Sequence, residues 1–307
     1  MDFKVSVVIP CFNERDNLHV LYQQLLEILQ NYPFHEILFV DDGSMDDSLD
    51  IIKGLAKEDK NVRYISLSRN FGHQHALKAG LDHATGDCVI SLDADLQHPP
   101  QLIPALLEKW QQGFDVVNTI RGKQQSLPLG KRLSSGMYYR LINSLSNVEI
   151  KPGAADFRLL DRKVVDVLKQ FNENHLFLRG LIPWLGFRQT EIGFEPAERH
   201  AGKTKYSFIR MLRLALDGIT SFSSRPLYLS IALGGIIAGL AFLYGIYALY
   251  MYLFTDATLP GWTSTTASVL FIGGIQLIMI GIIGIYLAKM FMENKRRPNY
   301  VIGSKNF

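Results

Sequence analysis

Over the first 120 residues, short apolar runs alternate with longer stretches whose apolar positions recur at helical spacing. Val5–Ile9 is a continuous, largely β-branched run that ends at Pro10. Asn13–Gln30 follows with Leu18, Leu21, Leu25, Leu26 and Leu29 on one helical stripe. Glu36–Val40 predicts a second strand, Ser48–Lys57 a helix, Val62–Leu67 a third strand and Gln74–Ala84 a helix. Cys88–Leu92, Leu102–Gln111 and Val116–Thr119 continue the alternation. This β-α-β-α order predicts an α/β fold, a mainly parallel sheet with helices on both faces.

The pattern changes abruptly near Arg225. No charged residue occurs over 226–255, nor over 257–288. Each stretch exceeds the roughly 20 residues that a helix needs to cross a bilayer. One such stretch would equally suit a buried core helix; two in succession predict a transmembrane hairpin over 226–291. Lys203, Lys205, Arg210, Arg213 and Arg225 precede the hairpin, and Lys289, Lys295, Arg296 and Arg297 follow it. The connection 256–266 holds neither Lys nor Arg. The positive-inside rule then places both termini in the cytoplasm. Gly235-x-x-x-Gly239 would let helices approach closely. Ahead of the hairpin, 206–221 has the spacing of an amphipathic helix, lying on the membrane surface or docked on the soluble domain. The expected organisation is a cytoplasmic domain over 1–202, a juxtamembrane segment over 203–225, the hairpin, and a basic cytoplasmic tail over 292–307.

Composition narrows the class. A net charge of +3 on 307 residues gives no nucleic-acid footprint. Cys11 and Cys88 sit in or beside apolar runs and read as small core residues of a reducing compartment, not as a disulfide. The first strand pattern starts at Val5 with no signal-peptide-like apolar stretch ahead of it. No G-x-G-x-x-G follows that strand and no Walker A sequence occurs, so the two commonest phosphate-binding loops are absent.

Polar chemistry gathers where the predicted strands end. Pro10-Cys11-Phe12-Asn13-Glu14 leaves the first strand, Asp41-Asp42-Gly43-Ser44 the second and Ser68-Arg69-Asn70-Phe71-Gly72 the third. The fourth delivers Asp93-Ala94-Asp95-Leu96-Gln97. In open α/β sheets the ligand site lies outside the carboxyl ends of the strands. Asp93, Asp95 and the amide oxygen of Gln97 form a hard-oxygen set suited to Mg²⁺ or Mn²⁺. The plainer alternative is that Asp93 and Asp95 cap the helix that starts near Pro99-Pro100. Asp41 is available to a base or ribose and Phe12 to flank the base, although Asp-Asp-Gly-Ser is also a common turn. Eight histidines show no metal-ligand spacing; His73 and His75 read as solvated helix positions, with approach to the nucleotide as the alternative.

Together these motifs, with Gly86-Asp87, Ala155-Asp156-Phe157-Arg158-Leu159 and Glu198-Arg199-x-x-Gly202-x-Thr204-Lys205, resemble the ordered set of family 2 inverting glycosyltransferases with a GT-A fold. With the hairpin, the chain is similar to polyprenyl-phosphate glycosyltransferases, the bactoprenol glucosyltransferases in particular, which are related to dolichyl-phosphate mannose synthases. The resemblance implies a UDP-sugar donor bound by Pro10, Phe12, Glu14, Asp41, Asn70, Asp93 and Asp95. It implies a divalent ion on Asp95, with Asp93 and Gln97 beside it. It implies an acceptor lipid phosphate held by Arg121, Lys131 and Ser135, with Lys131 where the mannose synthases have Arg. Arg132 joins them by position, and Arg199 and Lys205, just before the amphipathic stretch, are placed to close over the diphosphate. Asp156 matches a candidate base, or else orients Arg158 or contacts the sugar. Cys11-Phe12 departs from the aliphatic-Tyr pair common in the family, which removes a hydroxyl but keeps a ring for stacking. The implied activity is inverting transfer of a hexose, glucose first, to undecaprenyl phosphate at the inner membrane of a bacterium. Other nucleotide sugars (modified arabinose, N-acetylglucosamine, mannose) and an inactive membrane scaffold are the alternatives. The tetramers formed by related enzymes are compatible with the glycine-bearing hairpin. A processive polysaccharide synthase would carry Gln-x-x-Arg-Trp and more spans; neither is present.

Overall fold

The computed structural model describes residues 3–122, 154–174, 176–195, 225–254 and 261–307. The first half follows the predicted alternation. In order come β1 (Val5–Cys11), α1 (Arg15–Leu29), β2 (His35–Asp41), α2 (Ser48–Glu58), β3 (Val62–Leu67), α3 (His73–His83) and β4 (Cys88–Ser91). A single 3₁₀ turn at Pro100–Leu102 leads into α4 (Ile103–Gln111), then β5 (Val116–Arg121). β6 (Ala154–Asp161), α5 (Arg162–Leu168), α6 (Leu178–Trp184) and β7 (Gln189–Phe194) complete this part.

The strands form one sheet in the order β7-β5-β6-β4-β1-β2-β3, with one further strand beyond β3. β1 runs parallel to both β2 and β4, and β2 parallel to β3. β6 enters antiparallel between β4 and β5, so the sheet is mixed although mostly parallel. Every residue of β1 is buried, as expected for a strand covered on both faces. On one face Leu18, Leu21 and Leu25 of α1, Ile52 of α2 and Leu106 of α4 pack against Val5, Val7 and Ile9. On the other, Ala76 and Leu77 of α3, Val164 of α5 and Leu181 of α6 pack with Val8 and Val40. Helix α3 lies so close to β1 that a Cβ on Gly80 would stand 2.2 Å from the Val8 side chain.

Two helices, α7 (Arg225–Phe254) and α8 (Trp262–Asn294), form a separate compact unit. Both contain stretches long and apolar enough to cross a membrane, Ser230–Tyr247 and Phe271–Asn294. Large apolar side chains such as Phe242 and Leu277 stand open on them, at 69% and 71% exposure. In water such surfaces would associate; in a bilayer they are solvated. A Cβ on Gly235 or Gly239 would meet nothing within 4 Å, so the Gly-x-x-x-Gly face is not packed against described atoms.

The C-terminal segment differs from the basic tail expected over 292–307. Helix α8 continues to Asn294, and residues 297–307 group with the sheet. There β8 (Ile302–Lys305) pairs antiparallel with β3 and covers its edge. Tyr300 donates its hydroxyl to Asp82 at 2.9 Å, and Asp82 also pairs with the buried Lys78. Asn306 accepts from the Tyr64 backbone N–H at 2.8 Å, and the Arg63 guanidinium lies 3.6 Å from the centroid of the Phe307 ring. Removing residues 299–307 would bare the β3 edge and leave Lys78–Asp82 without its hydroxyl partner. We expect that truncation to lower stability by on the order of 3 kcal/mol, a few net hydrogen bonds, and to deprotect the β3 amides in hydrogen exchange. Unchanged melting and unchanged exchange in β3 would show that the strand contributes nothing.

Candidate functional site

The parallel strands β1, β2, β3 and β4 all end on one rim, and their loops enclose a cleft of about 330 Å³. The end of β1 supplies Pro10, Phe12 and Glu14; the end of β2 supplies Asp42. The loop after β3 contributes Asn70, the start of α3 contributes His73, and the end of β4 contributes Asp93 and Asp95. Phe12 is 40% exposed, an aromatic face left open beside this polar rim.

Local bonds lock the loops together. Asn13 adopts φ +56°, a conformation its short amide side chain tolerates, and its Oδ1 accepts from Met45 N at 2.8 Å. Asp42 accepts from the backbone N–H groups of Phe71 at 2.7 Å and Gly72 at 2.9 Å, tying the β2 end to the β3 loop. Gly43 makes that approach possible, because a Cβ there would stand 2.6 Å from the Arg69 carbonyl carbon. Asp41 is 1% exposed and accepts from Ser66 Oγ at 3.0 Å and Ser44 N at 3.1 Å. Asp42, itself only 3% exposed, lines the cleft, and Asp41 stands one residue behind it.

At the end of β4 the two carboxylates are held differently. Asp95 accepts from Gln97 N at 3.1 Å and from the Gln97 amide at 2.6 Å, across a tight turn in which Leu96 has φ +59°. Gln97 is 6% exposed and turned onto Asp95; it holds that carboxylate in place and does not line the cleft. Asp93 meets His73 Nε2 at 2.8 Å on one oxygen and lies 3.5 Å from His98 Nδ1 on the other. His73, the first residue of α3 and still 43% exposed, is thus both a solvated helix position and a residue of the cleft.

The cleft is acidic. Burial raises the pKa of Glu14, and the charges of Asp95, Asp46 and Asp93 raise it further against the opposing hydrogen bond from Asn17. Burial and the neighbouring Asp41 likewise leave Asp42 raised, despite its two backbone donors. Among the described lining residues only His73 can oppose the charge of Glu14, Asp42, Asp93 and Asp95. Hard oxygens in excess of positive charge fit Mg²⁺ or Mn²⁺ on Asp93 and Asp95. Among the described residues no three metal-binding side chains form a ready cage.

Behind the cleft, β6 carries Asp156 and Arg158. Asp156 is 3% exposed and accepts from Arg179 through Nε at 2.9 Å and a terminal nitrogen at 2.8 Å. Arg158 adds a bond at 3.1 Å, and His73 Nδ1 stands 3.9 Å away. Burial alone would favour the protonated acid, but the Arg179 bonds and charge, then Arg158 and His73, hold it far below the usual carboxylate range. A carboxylate so held is a poor proton acceptor at neutral pH. Arg158, which the sequence offered as its partner, is in contact with it. Gln74 joins this cluster, at 3.4 Å from Asp156 and accepting from Leu178 N at 3.1 Å. Arg121, at the end of β5, bonds His98 at 3.2 Å. Lys131, Arg132, Ser135, Arg199, Lys205 and the 206–221 stretch lie outside the described residues. Cys11 and Cys88 are free and buried, as expected.

Comparison with known proteins follows the same outline. The model of glycosyl transferase family 2 matches residues 6–168, more than half of the chain. An uncharacterized glycosyltransferase of Bacillus subtilis, YkcC, is 43% identical over 97% of this chain and 92% of its own length. The bactoprenol glucosyl transferase of Shigella phage SfV is 41% identical over 97% of this chain and 98% of its own. Among solved structures, the Mycobacterium tuberculosis glucosyl-3-phosphoglycerate synthase in complex with Mn²⁺, UDP and phosphoglyceric acid is 20% identical. It covers 72% of this chain and 78% of that one at a TM-score of 0.48.

The Asp156 cluster makes a pH-dependent prediction. Its folded pKa is depressed, so its contribution to stability is present above about pH 4, the unfolded carboxylate value, and is lost as pH falls below it. Arg179→Gln removes the bidentate partner and should cost about 2 kcal/mol at pH 7, less than a fully buried pair because the arginine head is partly solvated. The difference from wild type should shrink as the pH is lowered below 4 in thermal melts. A constant difference across that range would place the effect elsewhere than in the ion pair.

Proposed function

Because the chain belongs to glycosyl transferase family 2, we propose that it transfers glucose from UDP-glucose to a polyprenyl phosphate, with inversion at the anomeric carbon. The observation that carries this reading is the full-length likeness to bactoprenol glucosyl transferases, running through both apolar helices. A donor with a diphosphate and an acceptor with a lipid tail are the two substrates that an acidic strand-end cleft and a membrane hairpin fit together.

In this reading the uracil stacks on Phe12 and the diphosphate enters beside Asp93 and Asp95. A divalent ion, when bound by those two carboxylates, neutralises the charge that grows on the leaving diphosphate. Gln97 keeps Asp95 facing the ion by occupying both of its oxygens from the protein side. The acceptor phosphate is already anionic at neutral pH, so its oxygen attacks the anomeric carbon without a general base. Asp156 accordingly works as an anchor for Arg158 and Arg179. Arg121, with Lys131, Arg132 and Ser135, is assigned to the acceptor phosphate, and Arg199 with Lys205 to the diphosphate. Lys is a point charge and does not bind bidentately, so Lys131 attracts the acceptor without fixing its orientation. The hairpin sets the reaction at the inner face of a bacterial cytoplasmic membrane, with both termini in the cytoplasm.

The test is transfer of radiolabelled sugar to a short polyprenyl phosphate with Mn²⁺ or Mg²⁺ present, run in parallel with UDP-glucose, UDP-N-acetylglucosamine, a UDP-linked modified arabinose and GDP-mannose. Glucose should be transferred best, and Asp95→Ala should lower turnover by roughly 10²–10³-fold, as loss of a transition-state charge partner does. Preference for another sugar would change the donor assignment. Full turnover by folded Asp95→Ala would remove the metal role.

A further inference from the structure

Between the two sides of the reaction sits His98, a side chain with no assigned task. It is completely buried, its ring lying 5.6 Å from both Phe157 of β6 and Phe194 of β7. Its Nε2 is 3.2 Å from an Arg121 terminal nitrogen. A guanidinium has donors and no acceptor, so Nε2 must be the accepting nitrogen. The imidazole is therefore neutral and carries its proton on Nδ1. A charged ring would set two cations against each other in a buried place, at a desolvation cost that the neutral ring avoids. Nδ1 has no hydrogen-bond partner among the described residues, and Asp93 Oδ2 stands 3.5 Å from it. A buried N–H without a partner costs about 1–3 kcal/mol, so Asp93, the carboxylate within reach among the described residues, is where that proton is directed.

We propose that His98 is a positioning residue that fixes Asp93 and Arg121 to each other, linking the donor-side carboxylate to the acceptor-side cation through one neutral imidazole. The assignment of the two sides rests on the function proposed above. Arg121 Nε is also buried with no partner among the described residues, and among these residues the bond to His98 is the side-chain contact that sets the head. On the other side, His73 holds the first oxygen of Asp93 and His98 faces the second. The carboxylate is thereby kept from turning as the cleft fills. Phe157 and Phe194 hold the ring between the two.

Two near-isosteric variants separate the halves of this link. His98→Asn keeps a donor near the place of Nδ1 and removes the acceptor from Arg121. His98→Gln keeps an acceptor near the place of Nε2 and removes the donor toward Asp93. His98→Phe keeps the aromatic packing and removes both. The readouts are KM for a short polyprenyl phosphate and Mn²⁺ affinity in the presence of UDP, followed by electron paramagnetic resonance without turnover. His98→Asn should raise the acceptor KM about tenfold, the size of one lost hydrogen bond to a charged group, and leave Mn²⁺ affinity within about twofold. His98→Gln should do the reverse, and His98→Phe should impair both. Parallel losses in Asn and Gln variants, or wild-type constants in folded His98→Phe, would overturn the proposal. If the wild type transfers no sugar, it is the function reading that fails. The donor half still stands or falls on whether His98→Gln weakens Mn²⁺ binding while His98→Asn does not.

Discussion

Glu14, Asp42, Asp93 and Asp95 face one small cleft, and like charges in such a space repel. At a separation of about 5 Å and an effective dielectric near 20, one pair costs roughly 3 kcal/mol. The surrounding scaffold is arranged to tolerate that repulsion. Asp42 is bonded to two backbone N–H groups, Asp95 to the backbone and amide of Gln97, and Asp93 to His73. None of these partners brings a full, permanent positive charge into the cleft. The acid excess is left for something that arrives with the substrate, and a divalent ion accompanying a diphosphate has the required chemistry.

Among the described residues, three arginines stand one layer back from the cleft lining. Arg158 and Arg179 are both spent on Asp156, and Arg121 is bonded to His98. Strand β6 makes this possible by running antiparallel between β4 and β5, which brings Arg158 into register with Ser91, two residues before Asp93. His73 touches both layers, through Nε2 to Asp93 and Nδ1 toward Asp156. The cleft and the charge cluster behind it therefore share a single side chain at the start of α3. The same helix ends at the Lys78–Asp82–Tyr300 contact, where the segment following the second apolar helix rejoins the sheet.

Much of this was legible in the sequence because it is local. The strands β1 to β5 and helices α1 to α4 follow from apolar period, and the strand-end rim follows from their order. Asp93, Asp95, Glu14, Phe12 and Asn70 all face the cleft as their positions at strand ends implied. Side-chain direction at a strand end was harder: successive residues point to opposite faces, so of two equally buried neighbours Asp42 lines the cleft and Asp41 does not. What could not be read are contacts between distant positions. Gln74 with Asp156, His98 with Arg121 and Asp82 with Tyr300 lie far apart in the chain and leave no periodic mark. Strand β8 is four residues long and borders a basic run, so charge concealed it. Arg179 sits in an apolar helix with no motif around it; only the fold shows that its carboxylate is Asp156.

The central claim is that the cleft's negative charge awaits a cation shared with the donor diphosphate. It is tested most directly by titrating the full-length protein with Mn²⁺, with and without UDP, and following free metal by electron paramagnetic resonance. Charge sharing predicts weak binding alone and binding tighter by at least about tenfold with UDP, a coupling of roughly 1.4 kcal/mol. Equal Mn²⁺ affinity with and without UDP, or no binding in either case, would contradict it.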